Sequence, residues 1–412
     1  MVYVNIFPKI KTTFLAFFGG CCKLKHVGQF HSLKGKGLYF LGFLWFIWFM
    51  NFSVRTIFSP IMPLIEDEFA VSHSTAASLF FWNSAGYSVS LFLSGLFSGY
   101  FGYRRSVSLS LFISALIFIA VPFSRTFSHL IVLGSLLGLT SGIYLPAIIP
   151  MITHYYNEKT WGKVIASHDS AASMSIFAVP FLAILLLSFM DWRGIFYIFG
   201  GLFILLSLIF HMVCMEVRVP RSERGHLLRI VRSPSLWLMG TMWVFAAGAN
   251  LGIYFVTPLY LTKELGLDIK YANEIFGFSR LGGVVLTIAM GFAVDRFSLK
   301  RIMFIQLLLG GLLTFVIPFA GVRHIGWALF GQASVIMGFF PVGLVAVSRM
   351  FSVEERSLAT GIMTTFGVIC GLGFIPYLLG LSGDMVGFKW GICLLGICVI
   401  MASGLTRFLR IP

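Results

Sequence analysis

The fold class that this sequence predicts is an all-α membrane protein, with twelve transmembrane helices in two six-helix bundles. Composition is the first reason. Of 412 residues, 58% are hydrophobic and only 11% are charged, with 43 glycines besides. A soluble domain has about a quarter of its residues charged, and globular domains built from this chain would lack the polar side chains to cover their surfaces. The second reason is a succession of apolar runs of about 20 residues, the length an α-helix needs to cross hydrocarbon. The third is where the charges fall between those runs.

In order along the chain, residues 1–37 form a cytoplasmic tail carrying Lys9, Lys11, Lys23, Lys25, Lys34 and Lys36. A first bundle occupies 38–214, with spans near 38–63, 76–100, 106–123, 128–152, 164–188 and 194–214. A basic loop, 215–234, holds Arg218, Arg221, Arg224, Arg229 and Arg232. A second bundle fills 235–412, with spans near 235–261, 272–294, 301–320, 324–350, 357–381 and 389–408. No stretch between spans is long enough for a separate soluble domain. The short apolar run Phe14–Gly20 is too short to cross a membrane and is read as part of the tail, not as a signal peptide.

The formal charge of +15 would suggest nucleic acid in a soluble protein. Here the spans partition it. With both termini in the cytoplasm, 22 of the 30 Lys and Arg fall in cytoplasmic segments and six in outer loops (Arg125, Arg193, Lys263, Lys270, Arg323 and Lys389). The acidic run Glu66–Asp67–Glu68 also falls outside. That asymmetry fixes the orientation by the positive-inside rule, in a cell membrane, and no nucleic-acid partner is needed. The two left over, Arg55 and Arg280, lie inside spans. Cys21 and Cys22 sit in the tail and Cys214, Cys370, Cys393 and Cys398 in or near helices, so no disulfide framework is expected.

The chain repeats itself at an offset of 196 residues. Gly95 matches Gly291, Arg104 matches Lys300, and Arg105 matches Arg301. Pro122 and Pro318, Gly142 and Gly338, Glu158 and Glu354, and Pro180 and Pro376 keep the same spacing. Since six is even, corresponding helices of the two halves cross the membrane in the same sense, a parallel repeat. Gly134, Gly138 and Gly142 lie four apart, a spacing that lets a neighbouring helix approach closely.

The segment Gly291-Phe-Ala-Val-Asp295-Arg296-Phe-Ser-Leu-Lys300-Arg301 resembles the loop 8–9 signature of the major facilitator superfamily. The first-half copy, from Gly95 to Arg104 and Arg105, keeps the glycine and the basic end but has Gly99 where the family usually has Asp. Asp191-Trp192-Arg193 at the start of the sixth span is also similar to the family pattern. The resemblance covers the chain from about residue 38 onward. It implies two six-helix bundles rocking about a central site. It also implies a cytoplasmic gate of Gly95, Arg104, Arg105, Gly291, Asp295, Arg296, Lys300 and Arg301, whose charge contacts break and re-form as the bundles move.

An arginine at the bilayer centre costs about 2.5–3.5 kcal/mol on the insertion scale, so Arg55 and Arg280 must face protein or water. Each is expected about eight residues from the outer end of its span, at one depth and in opposite bundles. Two guanidiniums sharing a cavity repel unless an anion bridges them, and their fork suits carboxylate or phosphate. Neutralisation by backbone carbonyls or a nearby carboxylate competes with that reading. Asn51, Asn250 and Tyr254 are candidates to line the same cavity, as are Asn83 and Tyr144. His168 and Asp169 are candidates for proton coupling, although neighbours on a helix point about 100° apart. Trp45, Trp48 and the many phenylalanines are expected to face lipid or core, with no aromatic cage.

These observations predict a secondary transporter that moves a small organic anion by alternating access, coupled to protons or to an exchanged anion. Inward movement of one negative charge against 100 mV costs about 2.3 kcal/mol, so anion uptake needs such coupling. The alternative is a proton-driven exporter of amphipathic compounds, such as drugs or siderophores. A non-transporting membrane sensor is disfavoured by the absence of a soluble output domain. No phosphate-cradling loop, metal-spaced His/Cys cluster or nucleophile elbow occurs, so no cofactor, metal or catalysis is expected. The expected partners are the small-molecule substrate and the lipid bilayer, with the chain a monomer.

Overall fold

The structure, a computed structural model, describes residues 30, 34–217, 227–294 and 296–409. The lysines before residue 34, Cys21, Cys22, Arg218, Arg221, Arg224, Asp295 and Arg410 lie outside them. Among the described residues the chain is helical almost throughout, as a segment in hydrocarbon must be to pair its own backbone.

In the first half, α1 (Lys36–Thr56) and α2 (Phe58–Phe69) form one bent rod, followed by α3 (His73–Phe101) and α4 (Tyr103–Ala120). Next come α5 (Phe127–Ser141) with α6 (Tyr144–Tyr155), then α7 (Trp161–Leu187) and α8 (Trp192–Val213). The short α9 (Leu227–Val231) leads to α10 (Pro234–Ala247), which runs through a π-helical turn, Gly248–Gly252, into α11 (Ile253–Leu259). Then follow α12 (Ile269–Phe278), α13 (Leu281–Ala293), α14 (Leu299–Val316), α15 (Gly321–Met337) and α16 (Phe339–Met350). The chain ends with α17 (Val353–Phe366), a π-helical stretch Gly367–Phe374, α18 (Ile375–Met385) and α19 (Phe388–Gly404).

Among the described residues, ten helices are long and apolar enough to cross a membrane. The expected spans near 76–100 and 272–294 appear as α3 and as the pair α12 and α13, and neither is among the ten. The serines and glycines of α3 dilute its apolar character, and Ser279 and Arg280 interrupt the other. The first rod is longer than expected, reaching Phe69 instead of residue 63. Its last turn carries Glu66, Asp67 and Glu68, which are held by partners described below.

The 196-residue offset recurs in the helix boundaries. α3 and α12 begin at His73 and Ile269, α4 and α14 at Tyr103 and Leu299, and α8 and α19 at Trp192 and Phe388. Pro122 and Pro318 sit in matching 3-10 turns. Packing repeats as well: α4 lies on α8 as α14 lies on α19, and α3 on α5 as α13 on α15. The glycines of α5 make its contact with α3 intimate. A Cβ on Gly138 would stand 2.0 Å from the Asn83 carbonyl oxygen, and one on Gly86 2.1 Å from that of Ser135. Asn83 is used locally, its Nδ2 donating to the Gly134 carbonyl at 2.8 Å.

The halves meet mostly toward the end predicted to face outside, where α3 packs on α18, α7 on α12 and α2 on α11. Phe80 and Phe255 stack at 4.4 Å, Ser59 Oγ donates to the Tyr254 carbonyl at 2.8 Å, and Asn273 Nδ2 to that of Pro60 at 3.0 Å. Lys263 pairs with Asp67, its own counterpart at the 196-residue offset. Asp384 accepts from the backbone N–H groups of His73 and Ser74 at 2.7 and 2.9 Å, so a carboxylate of the second half caps the positive end of a first-half helix. His73 Nδ1 lies 2.9 Å from Glu66 Oε2, in the first turn of α3 and ahead of the apolar stretch that begins at Ala76. The hydrogen bond that the imidazole donates to Glu66 raises the His73 pKa above its ordinary value; burial and Lys263 oppose this, while the charges of Glu66 and Asp384 assist it.

Two outcomes follow. Gly138→Ala should destabilise the purified protein by about 1–3 kcal/mol through overpacking, whereas Gly201→Ala, with open space around it, should be neutral or slightly stabilising; equal melting temperatures would contradict this packing. Because the folded-state pKa of His73 is raised, its contribution to the outer closure is fully present below about pH 6.5. It is lost as pH rises through the raised value. The distance between labels on the outer ends of α2 and α11 should therefore broaden on alkalinisation in the wild type but not in His73→Gln.

Candidate functional site

Below the outer closure the two halves part around a cavity of about 400 Å3. Its walls come from α1, α3, α6 and α7 on one side and from α10, α13, α15, α16 and α17 with their π-helical turns on the other. Arg55 and Asp169 are the charged residues that line it. Arg55 stands fourteen residues before Phe69, and Arg280 eleven after Ile269, so both lie closer to the middle of their rods than expected.

Arg55 is 6% exposed, and its guanidinium lies between two rings, 4.4 Å from the centre of Phe52 and 4.1 Å from that of Tyr87. Those rings give it a cation–π environment without neutralising its charge. Its Nε is buried without a hydrogen-bond partner. Phe52 and Trp48 sit one and two turns before Arg55 on α1, so the helix presents all three to the cavity. Trp243 and Phe340, whose rings meet at 5.1 Å, complete an aromatic wall from the second half. Trp48 is 2% exposed and belongs to the core as expected, and it also lines the cavity. Trp45 stands apart from this wall, donating from Nε1 to Ser170 Oγ at 3.0 Å.

Arg280 is 1% exposed and does not line the cavity; Asn250 lies between. Arg280 Nη1 donates to the Asn250 backbone oxygen at 3.3 Å and to its Oδ1 at 3.5 Å, while Nε and Nη2 are buried without partners. Its guanidinium stands 5.0 Å from the Tyr254 ring and 5.6 Å from that of Phe276. Asn250 belongs to the π-helical turn Gly248–Gly252, a local widening frequent at functional sites. That turn packs against its counterpart in 367–374, where a Cβ on Gly252 would come 2.8 Å from the Gly371 oxygen. Among the described residues neither arginine has a carboxylate within 4.0 Å.

The other sequence candidates fall in different places. Asn51 is buried with both amide atoms unpartnered and is not on the cavity wall. Tyr254 is buried beneath Arg280. His168 faces away from Asp169: it is fully enclosed, with Nε2 3.2 Å from Tyr144 Oη, and Trp48 stacks on both of their rings. Of the expected proton pair, only Asp169 is on the cavity.

At the end expected to face the cytoplasm, Arg104 is held within the first half. Its backbone N–H donates to Glu216 Oε1 at 3.1 Å and its Nη1 to the Cys214 carbonyl at 3.4 Å. The Glu216 carboxylate occupies the space where a Cβ on Gly102 would stand, and the φ of +83° there independently favours glycine. Arg105, Arg296 and Arg301 are exposed, and among the described residues none of them, nor Lys300, forms a salt bridge. Gly95 has open space around it, and Gly291 lies near the end of α13. Asp191 caps α8, accepting from the Gly194 N–H at 2.9 Å, while Arg193 binds Glu68 and the carbonyls of Pro122 and Ser124. The motif of the sixth span therefore anchors the end of the first rod.

Two further hollows, one between α7 and α12 and one between α18 and α19, are lined by exposed apolar side chains such as Leu185, Phe278, Met385 and Trp390. They offer no buried charge.

Comparison with known proteins agrees with this architecture. The family model described as Major Facilitator Superfamily matches residues 44–345. Protein TsgA of Shigella flexneri and that of Escherichia coli O9:H4 are each 20% identical over 320 residues, covering 76% of this chain and 78% of the relative. Among solved structures, a bacterial homolog of the human lysosomal transporter Spinster, in an inward-facing and unoccupied conformation, superposes with a TM-score of 0.78 at 14% identity. That match covers 91% of this chain and 98% of the other. A D-xylose-proton symporter gives 0.73 at 16% identity, covering 90% and 97%. At such identities the likeness is one of fold. The matched family and the structural neighbours are transporters and not enzymes. This chain belongs to the major facilitator superfamily and is a multi-pass membrane transporter.

Proposed function

We propose that the protein is a secondary transporter of a small organic anion, held at Arg55 in the central cavity. The single observation that carries this reading is a guanidinium on the cavity wall with aromatic neighbours and, among the described residues, no carboxylate partner. A charge in that setting attracts an anion, and its fork matches a carboxylate. Asn250 presents its side chain from the opposite wall, with Arg280 behind it. Asp169 is the cavity's titratable carboxylate and the proposed proton carrier, while His168, turned to Tyr144, stands apart from it. In this reading twelve spans form two six-helix bundles, 38–214 and 235–412. The tail 1–37 and the loop 215–234 are cytoplasmic, in line with the repeated helix boundaries and the charge partition. The outer contacts of Lys263, Asp384 and Phe255 then belong to an inward-facing state, and their release, with closure at the Arg104 and Arg296 ends, gives the opposite one. One chain contains both bundles and so suffices as a monomer.

A second reading has its own observation. The wall of Trp48, Phe52, Tyr87, Trp243 and Phe340 would also suit an amphipathic compound exported in exchange for a proton on Asp169. Broad resistance on expression, without anion uptake, would favour it.

The test is binding and transport of organic anions by the full chain in proteoliposomes. Loss of a charged hydrogen bond is worth about 1.5–3 kcal/mol, so Arg55→Ala should weaken anion affinity by about one to two orders of magnitude, and Arg55→Lys by less. Arg280→Met, which replaces an enclosed charge by an apolar chain of similar length, should keep the melting temperature while lowering transport. Unchanged anion transport in Arg55→Ala would overturn the proposal.

A further inference from the structure

Charges near the middle of the spanning rods can be counted. Among the described residues they are Arg55, Arg280 and Asp169. His168 does not add to them, because an imidazolium enclosed there would be a buried charge with Nδ1 lacking any partner. The centre therefore carries one net positive charge when empty. A ligand with one negative charge brings it to zero. A ligand with two leaves an excess negative charge in a low-dielectric cavity unless a proton is taken up.

Asp169 stands well placed to enforce that difference. Ser175 Oγ lies 2.9 Å from Ser53 Oγ and 3.2 Å from Thr56 Oγ1, which sets Ser175 at the level of Arg55. Asp169 precedes Ser175 by six residues on the continuous helix α7, or about 9 Å along its axis. It faces the same cavity as Arg55, on the side away from the outer closure. An anion seated on Arg55 must pass this carboxylate and then remain in its field. Aromatic and aliphatic side chains line much of the space between, so a second anionic group would find Asp169 with few donors to offset it.

We propose that Asp169 is a specificity-determining residue, a charge filter that restricts the Arg55 site to singly charged organic anions with an apolar or aromatic body. A doubly charged anion enters only together with a proton on Asp169. The inference rests on the anion reading above and gives it a substrate class. It also relates the two coupling modes to ligand charge: a monoanion crosses in a neutral centre and suits exchange, whereas a dianion brings a proton with it.

At an effective dielectric of about 20, two unit charges about 9 Å apart alter an equilibrium constant by a factor of about 20. The experiment compares benzoate with phthalate as probes, by calorimetry and thermal shift on the purified full chain at neutral pH. Wild type should bind benzoate in clear preference to phthalate. Asp169→Asn should shift the ratio toward phthalate by about 20-fold. Ser173→Asp, which adds a carboxylate to the cavity wall one turn from Asp169, should shift it the other way, and this variant keeps the test alive if Asp169→Asn fails to fold. Benzoate binding that is lost in Arg55→Ala, with a ratio unmoved in both charge variants, overturns the filter and leaves the anion site standing. No binding of either probe to wild type, or equal binding by Arg55→Ala, overturns the anion reading and the filter with it.

Discussion

A guanidinium has no stable place in hydrocarbon, and much of this molecule's interior is arranged around two of them. Arg55 and Arg280 each carry five donors and a permanent charge; rings flank both and a backbone oxygen meets Arg280, and among the described residues no carboxylate pairs with either. Phe52 and Tyr87 flank one; Tyr254, Phe276 and Asn250 flank the other. This keeps lipid away while leaving the charge uncompensated. A purely structural arginine would be better served by a paired carboxylate with its hydrogen bonds filled. The unfilled donors are what make the centre a candidate binding site and not merely a stabilised core.

The outer closure has the opposite character. There, several charges are paired: Lys263 with Asp67, Glu66 with His73, Glu68 with Arg193, and Asp384 with the first turn of α3. Contacts such as the Lys263 pair are strong enough to hold one arrangement yet lie where water can replace them, so little is lost when the halves separate. Apolar contacts such as Phe80 on Phe255 lie deeper and seal the cavity roof. In the proposed reading, a closure of satisfied, replaceable contacts over a centre with unfilled donors suits alternating access.

Much of this was legible in the sequence, and the parts that were not share a physical reason. Apolar run length, the charge partition and the 196-residue offset are one-dimensional quantities, and the helix starts at Tyr103 and Leu299 follow them closely. The two arginines stood out because charges within spans are expensive. The direction of a side chain around a long, uniformly apolar helix is a different matter: α1 is hydrophobic on every face, so nothing in its periodicity separates Trp48 and Phe52, on the cavity, from core residues. Arg280 and Asn51 were expected on the cavity and lie behind its wall, because one residue of rotation decides the matter. His168 and Asp169 illustrate the same point, since their 100° separation was readable while which of them faced inward was not. The spacing of Gly134, Gly138 and Gly142 was informative because close backbone approach leaves only one residue type.

The central claim is that an anion completes Arg55 inside the cavity, and locating a heavy-atom ligand tests it most directly. In an experimental structure of the full chain with para-iodobenzoate, the account predicts iodine density within the cavity and the carboxylate against the Arg55 guanidinium, between Phe52 and Tyr87. Iodine found only in the hollows between α7 and α12 or between α18 and α19, with the space at Arg55 unchanged, would contradict it.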